Sequence, residues 1–276
     1  MKIAVCQTRS GIDPIENAAA LVAMAETAAK AGAAMVFTPE MSGLLDRDRA
    51  RAASNIASEA EDKVLKALRN AAVEHHIWIA LGSLALAGER EDGRLVNRSF
   101  VIDDHGAIRA RYDKLHLFDV DLATGESWRE SARYAPGETA IVVDTPVAML
   151  GLSVCYDLRF PSLYANLSDG GAQLLTVPAA FTVPTGEAHW HTLLRARAIE
   201  NAAYVVAAAQ SGLHQDGRST FGHSLVVDPW GTVLLDMGEG QGVGFAEIDL
   251  ETVQKARKQI PVLDHRRPIP HVTHIS

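Results

Sequence analysis

The apolar runs of this chain are short, and a turn signal stops each of them. The longest, 77–81 and 202–209, fall far short of the ~20 residues a membrane-spanning helix needs. They are the length of a buried strand. Between such runs lie stretches whose apolar residues repeat at helical spacing. The spacing predicts a strand over 3–7, then a helix opened by Asp13-Pro14-Ile15-Glu16, in which Asp13 caps, Pro14 suits the first turn and Glu16 sits at the third position. Leu21, Met24, Ala25 and Ala28 keep that helix on one face, and Gly32 ends it. A strand over 33–37 stops at Thr38-Pro39, a helix over 58–75 takes Ser58 as its cap, and a strand follows over 77–86. The middle changes character. Segments 99–103 and 107–112 read as a hairpin about Asp104-His105-Gly106, and 140–144 with 147–155 as a second pair about Thr145-Pro146. A helix over 161–168, a strand over 173–177 and a helix over 187–201 come next. Strands over 204–210, 222–227, 232–236 and 242–248 close the series.

Buried strands interleaved with amphipathic helices mean a layered α/β fold. The hairpins are too many for a simple doubly wound parallel sheet. Two mixed sheets packed face to face, with helices outside, fit the order of elements. No Ser/Gly or Pro tract divides the chain, so 1–276 reads as a single domain. Its end, 257–276, is mostly polar and broken by prolines, and reads as a C-terminal arm.

Composition narrows function by exclusion. The chain has 26 Lys and Arg against 34 Asp and Glu, a formal charge of −8. No basic face suits a phosphate backbone, so no nucleic-acid or membrane partner is expected. Cys6 and Cys155 make no disulfide framework, and a reducing cytoplasm is the expected compartment. The segment Met1-Lys2-Ile3-Ala4-Val5-Cys6 lacks the features of a signal peptide.

Three apolar strands end in a reactive side chain and a turn. Phe37-Thr38-Pro39-Glu40 delivers Glu40, Tyr112-Asp113-Lys114 delivers Lys114, and Ser153-Val154-Cys155-Tyr156-Asp157 delivers Cys155. Strand ends are where α/β scaffolds hold chemistry, because the strand is rigid and the turn leaves the side chain open. A lone Cys is more often a small buried apolar residue, and Cys6 keeps that reading. Cys155 departs from it because Tyr156, Asp157 and Arg159 follow at once. A strand–Cys–turn exposes the thiol and aims the backbone N–H of Tyr156 at its surroundings, by analogy with a nucleophile elbow. A lone Glu or Lys is ordinarily a solvated charge, and Glu130, in Trp128-Arg129-Glu130-Ser131, reads by itself as a loop charge.

The three strings, in this order and at this wide spacing, resemble those of the nitrilase, or carbon–nitrogen hydrolase, superfamily. Phe37-Thr38-Pro39-Glu40 is similar to its glutamate motif, Tyr112-Asp113-Lys114-Leu115-His116-Leu117-Phe118-Asp119 to its lysine motif, and Cys155-Tyr156-Asp157-Leu158-Arg159-Phe160-Pro161 to its cysteine motif. The resemblance runs from Lys2 to about Pro268. It implies a four-layer α-β-β-α sandwich and a Glu40–Lys114–Cys155 triad, with Glu130 as the second glutamate that members carry between lysine and cysteine. The implied activity is amide hydrolysis through a cysteine thioester. Cys155 would attack, Glu40 would carry the proton, and Lys114 with the Tyr156 amide would hold the oxyanion. Other strings are similar to the branch that holds deaminated glutathione amidase and ω-amidase, among them Ala180-Phe181-Thr182-Val183-Pro184-Thr185-Gly186 and Gly222-His223-Ser224-Leu225. The implied substrate is a small anionic amide, with Arg159 as its carboxylate partner and Phe181 and Thr185 lining the pocket. An ω-amidase acting on 2-oxoglutaramate, a broader nitrilase or carbamoyl hydrolase, and a catalytically silent binding protein on the same scaffold are the alternatives. The resemblance also implies a homodimer or larger homo-oligomer.

No metal or organic cofactor is expected. His75-His76 and His189-Trp190-His191 are one and two residues apart on predicted helices, so each pair points to different faces. His265, His271 and His274 lie in the tail, and no dinucleotide or phosphate-binding Gly motif occurs.

Overall fold

The structure is a computed structural model that describes all residues except 89–91, 122–124, 126 and 276. Helix α1 (Pro14–Lys30) begins as its sequence dictates, with the Asp13 carboxylate accepting the Ile15 N–H at 2.7 Å. Gly32 follows its end at φ 77°. A short α2 (Arg49–Ala53), capped by Asp48, was not anticipated. Helix α3 (Lys63–His75) starts later than expected. Asp62, not Ser58, is its cap, accepting the Leu65 N–H at 2.7 Å, while Ser58 forms a bridge with Ala87. Helices α4 (Pro161–Asp169), α5 (Val183–Asn201) and α6 (Leu250–Gln259) complete the set. α5 begins a turn before the expected start because Pro184 is compatible with a first helical turn. α6 takes up the start of the expected arm. Beyond it the chain is mostly exposed, but Arg266 reaches back to the Ala165 carbonyl on α4.

Two six-stranded mixed sheets carry the molecule. The first runs Gly242–Glu247, Lys2–Gln7, Met35–Phe37, Trp78–Ala87, Leu95–Ile102, Ile108–Asp113 across its width. The second runs Val233–Asp236, Leu225–Val227, Tyr204–Ala207, Leu174–Thr176, Met149–Gly151, Val142–Asp144. Side-chain alternation along each strand separates the layers. Ile3, Val5, Met35 and Phe37 face the second sheet and share one core with Leu150, Leu174, Val205 and Val226. Ala4, Cys6 and Val36 face the other way and share a second core with Leu21 of α1 and Leu65 and Leu68 of α3. Trp190, Leu194 and Ala198 of α5 and Leu163 and Leu167 of α4 cover the second sheet. The result is the four-layer α-β-β-α sandwich.

Two glycines let chain segments come close enough to aim the reactive residues. A Cβ on Gly82 would lie 2.1 Å from the Thr38 carbonyl oxygen and 2.3 Å from that of Pro39, so only glycine lets the turn before Glu40 rest on this strand. A Cβ on Gly137 would lie 2.1 Å from the Asp113 oxygen, and its N–H donates to the Lys114 carbonyl at 2.9 Å.

Candidate active site

Glu40 leaves the end of Met35–Phe37, Lys114 the end of Ile108–Asp113, and Cys155 the turn after Met149–Gly151. All three are buried, at 4%, 2% and 8% exposure. Lys114 Nζ donates to Glu40 Oε1 at 2.9 Å and to Glu130 Oε2 at 2.9 Å. Cys155 lines the same cavity as Glu40 and Lys114, near enough for both charges to act on its thiol. The Ala180 N–H donates to Glu40 Oε2 at 3.0 Å, and the Phe118 N–H donates to Glu130 Oε2 at 2.6 Å. The four side chains expected at the chemistry, from segments up to 115 residues apart in sequence, therefore meet in one ionic cluster.

Burial works against the Lys114 ammonium, yet the carboxylates of Glu130 and Glu40 outweigh it and raise its pKa well above the usual lysine range. Lys114 is charged throughout the neutral range. Burial also pushes the Cys155 thiol well up, and the Glu40 charge adds to this against the opposing pull of Lys114. The resting cysteine is a thiol, with the Glu40 carboxylate near enough to act on it.

Backbone geometry explains the exposure of the sulfur to the cavity. Cys155 sits at φ 50°, a left-handed conformation that side-chain-bearing residues adopt at a cost. Its N–H donates to the Pro178 carbonyl at 2.9 Å. Tyr156 follows in a short 3₁₀ turn, Cys155–Arg159, whose first N–H groups lack partners within the helix. Asp157, fully buried, pins this turn to the lysine segment. Its carboxylate accepts the Tyr112 hydroxyl at 2.7 Å, the Val154 N–H at 2.9 Å and the His116 N–H at 3.0 Å.

The cluster forms the floor of a cavity of about 300 Å³. Tyr156, Phe181 and Thr185 line it, with Phe118, Trp128, Tyr134 and Thr220. Arg159, expected as a substrate contact, is not among the lining residues. Its guanidinium turns to His189 Nδ1 at 3.3 Å, with its carbon 5.6 Å from the Phe181 ring centroid. Other arginines line the cavity instead. Arg129 is held by Asp121 and Arg218 by Asp216. Arg133 makes no side-chain hydrogen bond or ion pair among the described residues. The buried Trp128 Nε1 has no partner either.

Sequence reasoning also passed over Asn97. Its Nδ2 donates to Glu40 Oε1 at 2.9 Å and to Glu130 Oε1 at 3.2 Å, tying the two carboxylates together. It lies inside a strand with no motif around it, so nothing in the sequence singled it out. Asp157 and His116 stood inside quoted motifs, but pattern alone did not say that they bind each other.

The carbon-nitrogen hydrolase family profile matches residues 2–258. The chain is 43% identical over 275 residues to the nitrilase and fragile histidine triad fusion protein NitFhit of Caenorhabditis elegans, covering 99% of this chain and 62% of that protein. The NitFhit crystal structure superposes with a TM-score of 0.89, over 96% of this chain and 65% of that one. The chain thus spans under two thirds of the length of that fusion. It is 40% identical to deaminated glutathione amidase of Bos taurus over 269 residues, covering 96% of this chain and 82% of that enzyme. A variant of an amidase from Nesterenkonia sp. AN1, showing the result of Michael addition of acrylamide at the active site cysteine, superposes with a TM-score of 0.77 at 28% identity. It covers 95% of this chain and 98% of that one.

Proposed function

The chain belongs to the carbon–nitrogen hydrolase family, and from that premise we propose that it cleaves the amide of a small anionic 2-oxo acid amide through a thioester on Cys155. The observation that carries this reading is the meeting of Cys155 with Glu40 and a charged Lys114, themselves bonded at 2.9 Å, at the floor of the cavity. As Sγ bonds to the amide carbon, its proton passes to Glu40. The carbonyl oxygen takes the negative charge, held by Lys114 Nζ and the Tyr156 N–H. The C–N bond then breaks and Glu40 gives the proton to the leaving amine. Water attacks the thioester, Glu40 takes its proton, and the acid leaves as the thiol is restored. Glu130 keeps Lys114 charged and in place. It touches no reacting atom in this scheme.

The substrate is read from the relatives and the cavity together. The bovine relative at 40% identity is a deaminated glutathione amidase, so the leading candidate is a 2-oxoglutaramyl peptide, cleaved to 2-oxoglutarate and cysteinylglycine. Such a molecule carries a carboxylate at each end. The unpaired Arg133 guanidinium supports recognition of one of them, and the unpartnered Trp128 Nε1 offers a further donor. The deciding experiment compares kcat/KM for deaminated glutathione, 2-oxoglutaramate and a neutral amide of equal length, with intact-mass detection of the acyl adduct. A neutral amide turned over best would sink the substrate reading. Absence of any adduct on Cys155 with a competent substrate would sink the thioester.

A further inference from the structure

Away from the cavity floor, helix α5 brings His191 to a corner of the second sheet where the turn residue His223 and the strand end Asp236 also point. His191 Nε2 lies 3.0 Å from Asp236 Oδ2, and His223 Nδ1 lies 2.9 Å from Asp236 Oδ1. The three donor atoms all fall within 4.8 Å of one another. We propose that His191, His223 and Asp236 bind a divalent first-row transition cation, with zinc(II) as its ordinary occupant, which fastens α5 to the segment 222–236.

The set is held in place before any ion arrives. His223 adopts φ 54°, unfavourable for a histidine, and hydrogen bonds on both sides keep it there. Its N–H donates to the Gly238 carbonyl at 2.7 Å, and its own carbonyl accepts Trp190 Nε1 at 2.8 Å. Its ring stacks on Phe221 with centroids 4.5 Å apart and planes 22° apart. Asp236 Oδ1 also accepts the Gly238 N–H at 2.9 Å, fixing the carboxylate between the two imidazoles.

The donor chemistry selects the ion. Two imidazoles and one carboxylate suit zinc, cobalt or nickel, whereas magnesium and calcium want oxygen donors throughout. Zinc–nitrogen bonds of ~2.0–2.1 Å at tetrahedral angles separate donors by about 3.3 Å. The 2.9 and 3.0 Å separations run to different oxygens of Asp236, Oδ1 for His223 and Oδ2 for His191, so those contacts open slightly while the donor set, within 4.8 Å overall, draws in around the ion. The ring proton that each histidine now gives to Asp236 moves to the other ring nitrogen. His191 Nδ1 and His223 Nε2 have no protein partner among the described residues. Three protein donors leave one position for water, and the partial exposure of all three side chains lets the ion in.

The test is calorimetric titration of the chelator-stripped full chain with zinc chloride. One ion per chain is expected at this site, with a Kd below ~10 µM, and cobalt(II) should give the visible absorption of a four-coordinate centre. His191→Gln, a partly exposed helix position, should weaken binding by roughly 10–100-fold while leaving the far-ultraviolet spectrum unchanged. His223→Asn should do the same, because Asn tolerates the left-handed backbone. Zinc should raise Tm by a few degrees in the parent and not in His191→Gln. A triple His265→Ala/His271→Ala/His274→Ala variant and Cys155→Ala should both retain the site. Saturable binding absent up to about 1 mM, or binding unchanged in His191→Gln and His223→Asn, or binding lost in the tail or Cys155 variants instead, each overturns the proposal.

Discussion

Cys6 lies on a strand of the first sheet and Cys155 in the turn beyond a strand of the second, and their degree of burial does not tell them apart: 1% exposed against 8%. Neither is a thiolate at rest. Burial alone pushes the Cys6 thiol up to about 12, and burial together with the Glu40 charge pushes Cys155 up as well. The difference lies in backbone and neighbours. Cys6 is extended, paired with Val243 across the sheet, and its sulfur packs among the apolar side chains under α1 and α3. Cys155 opens the turn beyond its strand at φ 50°, with the charges of Glu40 and Lys114 acting on its sulfur and a cavity in front. A low thiol pKa is one route to reactivity. Here the geometry supports the other, a neutral thiol whose proton leaves in the same step as bond formation.

The sharpest way to break this contrast is to remove each sulfur in turn. Cys155→Ala should lower kcat by on the order of 10⁴-fold or more and abolish the acyl adduct in intact mass. Cys6→Ala should keep kcat within about twofold and cost ~1 kcal/mol in stability for the lost packing. An adduct surviving in Cys155→Ala would place the nucleophile elsewhere. Next in size is Glu40→Gln, which keeps the shape of the side chain but not its basicity. Alkylation of Cys155 by iodoacetamide at neutral pH should slow by roughly 10²–10³-fold and recover only at strongly alkaline pH. Alkylation as fast as in the parent would mean that the thiol ionises without Glu40. Smaller still is Arg133→Ala. A charge-assisted hydrogen bond of about 1.5–3 kcal/mol predicts a 10–100-fold loss in kcat/KM for an anionic amide, carried by KM, with a neutral amide unaffected. An equal loss for both would reduce Arg133 to a structural part of the wall.

The same contrast shows what the sequence could reveal. The short apolar run over 3–7 marked a strand but could not say which face of it met which layer, so Cys6 and Val5 looked alike. Glu40, Lys114 and Cys155 were legible because a strand, a turn and a polar side chain recur at each, and Asp13 as a cap was legible because capping is local. The start of α3 was misplaced because Ser58 and Asp62 both satisfy the local rule, and only the bridge to Ala87 decides between them. The direction of Arg159 was illegible for a similar reason. Proximity to Cys155 in sequence says nothing of where a long side chain points, and His189 comes from another element. His191 shows the limit most clearly. Its helical neighbours offer no second ligand, and both partners come from residues 32 and 45 positions later.

The smallest predicted effect concerns the continuation of the strand that carries Cys6. The strand ends at Gln7 and the chain continues to Ser10, whose carbonyl faces His214 Nδ1 at 3.0 Å, while His214 Nε2 meets Thr220 Oγ1 at 2.7 Å. Burial lowers the His214 pKa, because a charged imidazole there would lose its water and face the Arg218 charge, against a smaller raising effect of the Ser10 carbonyl. A group whose folded pKa lies below its unfolded value takes up a proton first in the unfolded chain. The stability tied to neutral His214 is therefore fully present above about 6.5, the unfolded imidazole value. It declines as pH falls and levels off only below the folded pKa. Tm measured from about pH 7.5 down to about 5.5 should fall in the parent chain by a few degrees, on a scale of ~2–4 °C per kcal/mol. His214→Gln should have a lower Tm at neutral pH but a flatter profile across that interval. Cys155→Ala, which leaves this contact untouched, should reproduce the parent slope. Parallel profiles for the parent and His214→Gln would assign the acid sensitivity to another group. They would also separate the strand of Cys6 from any proton-linked change in this window.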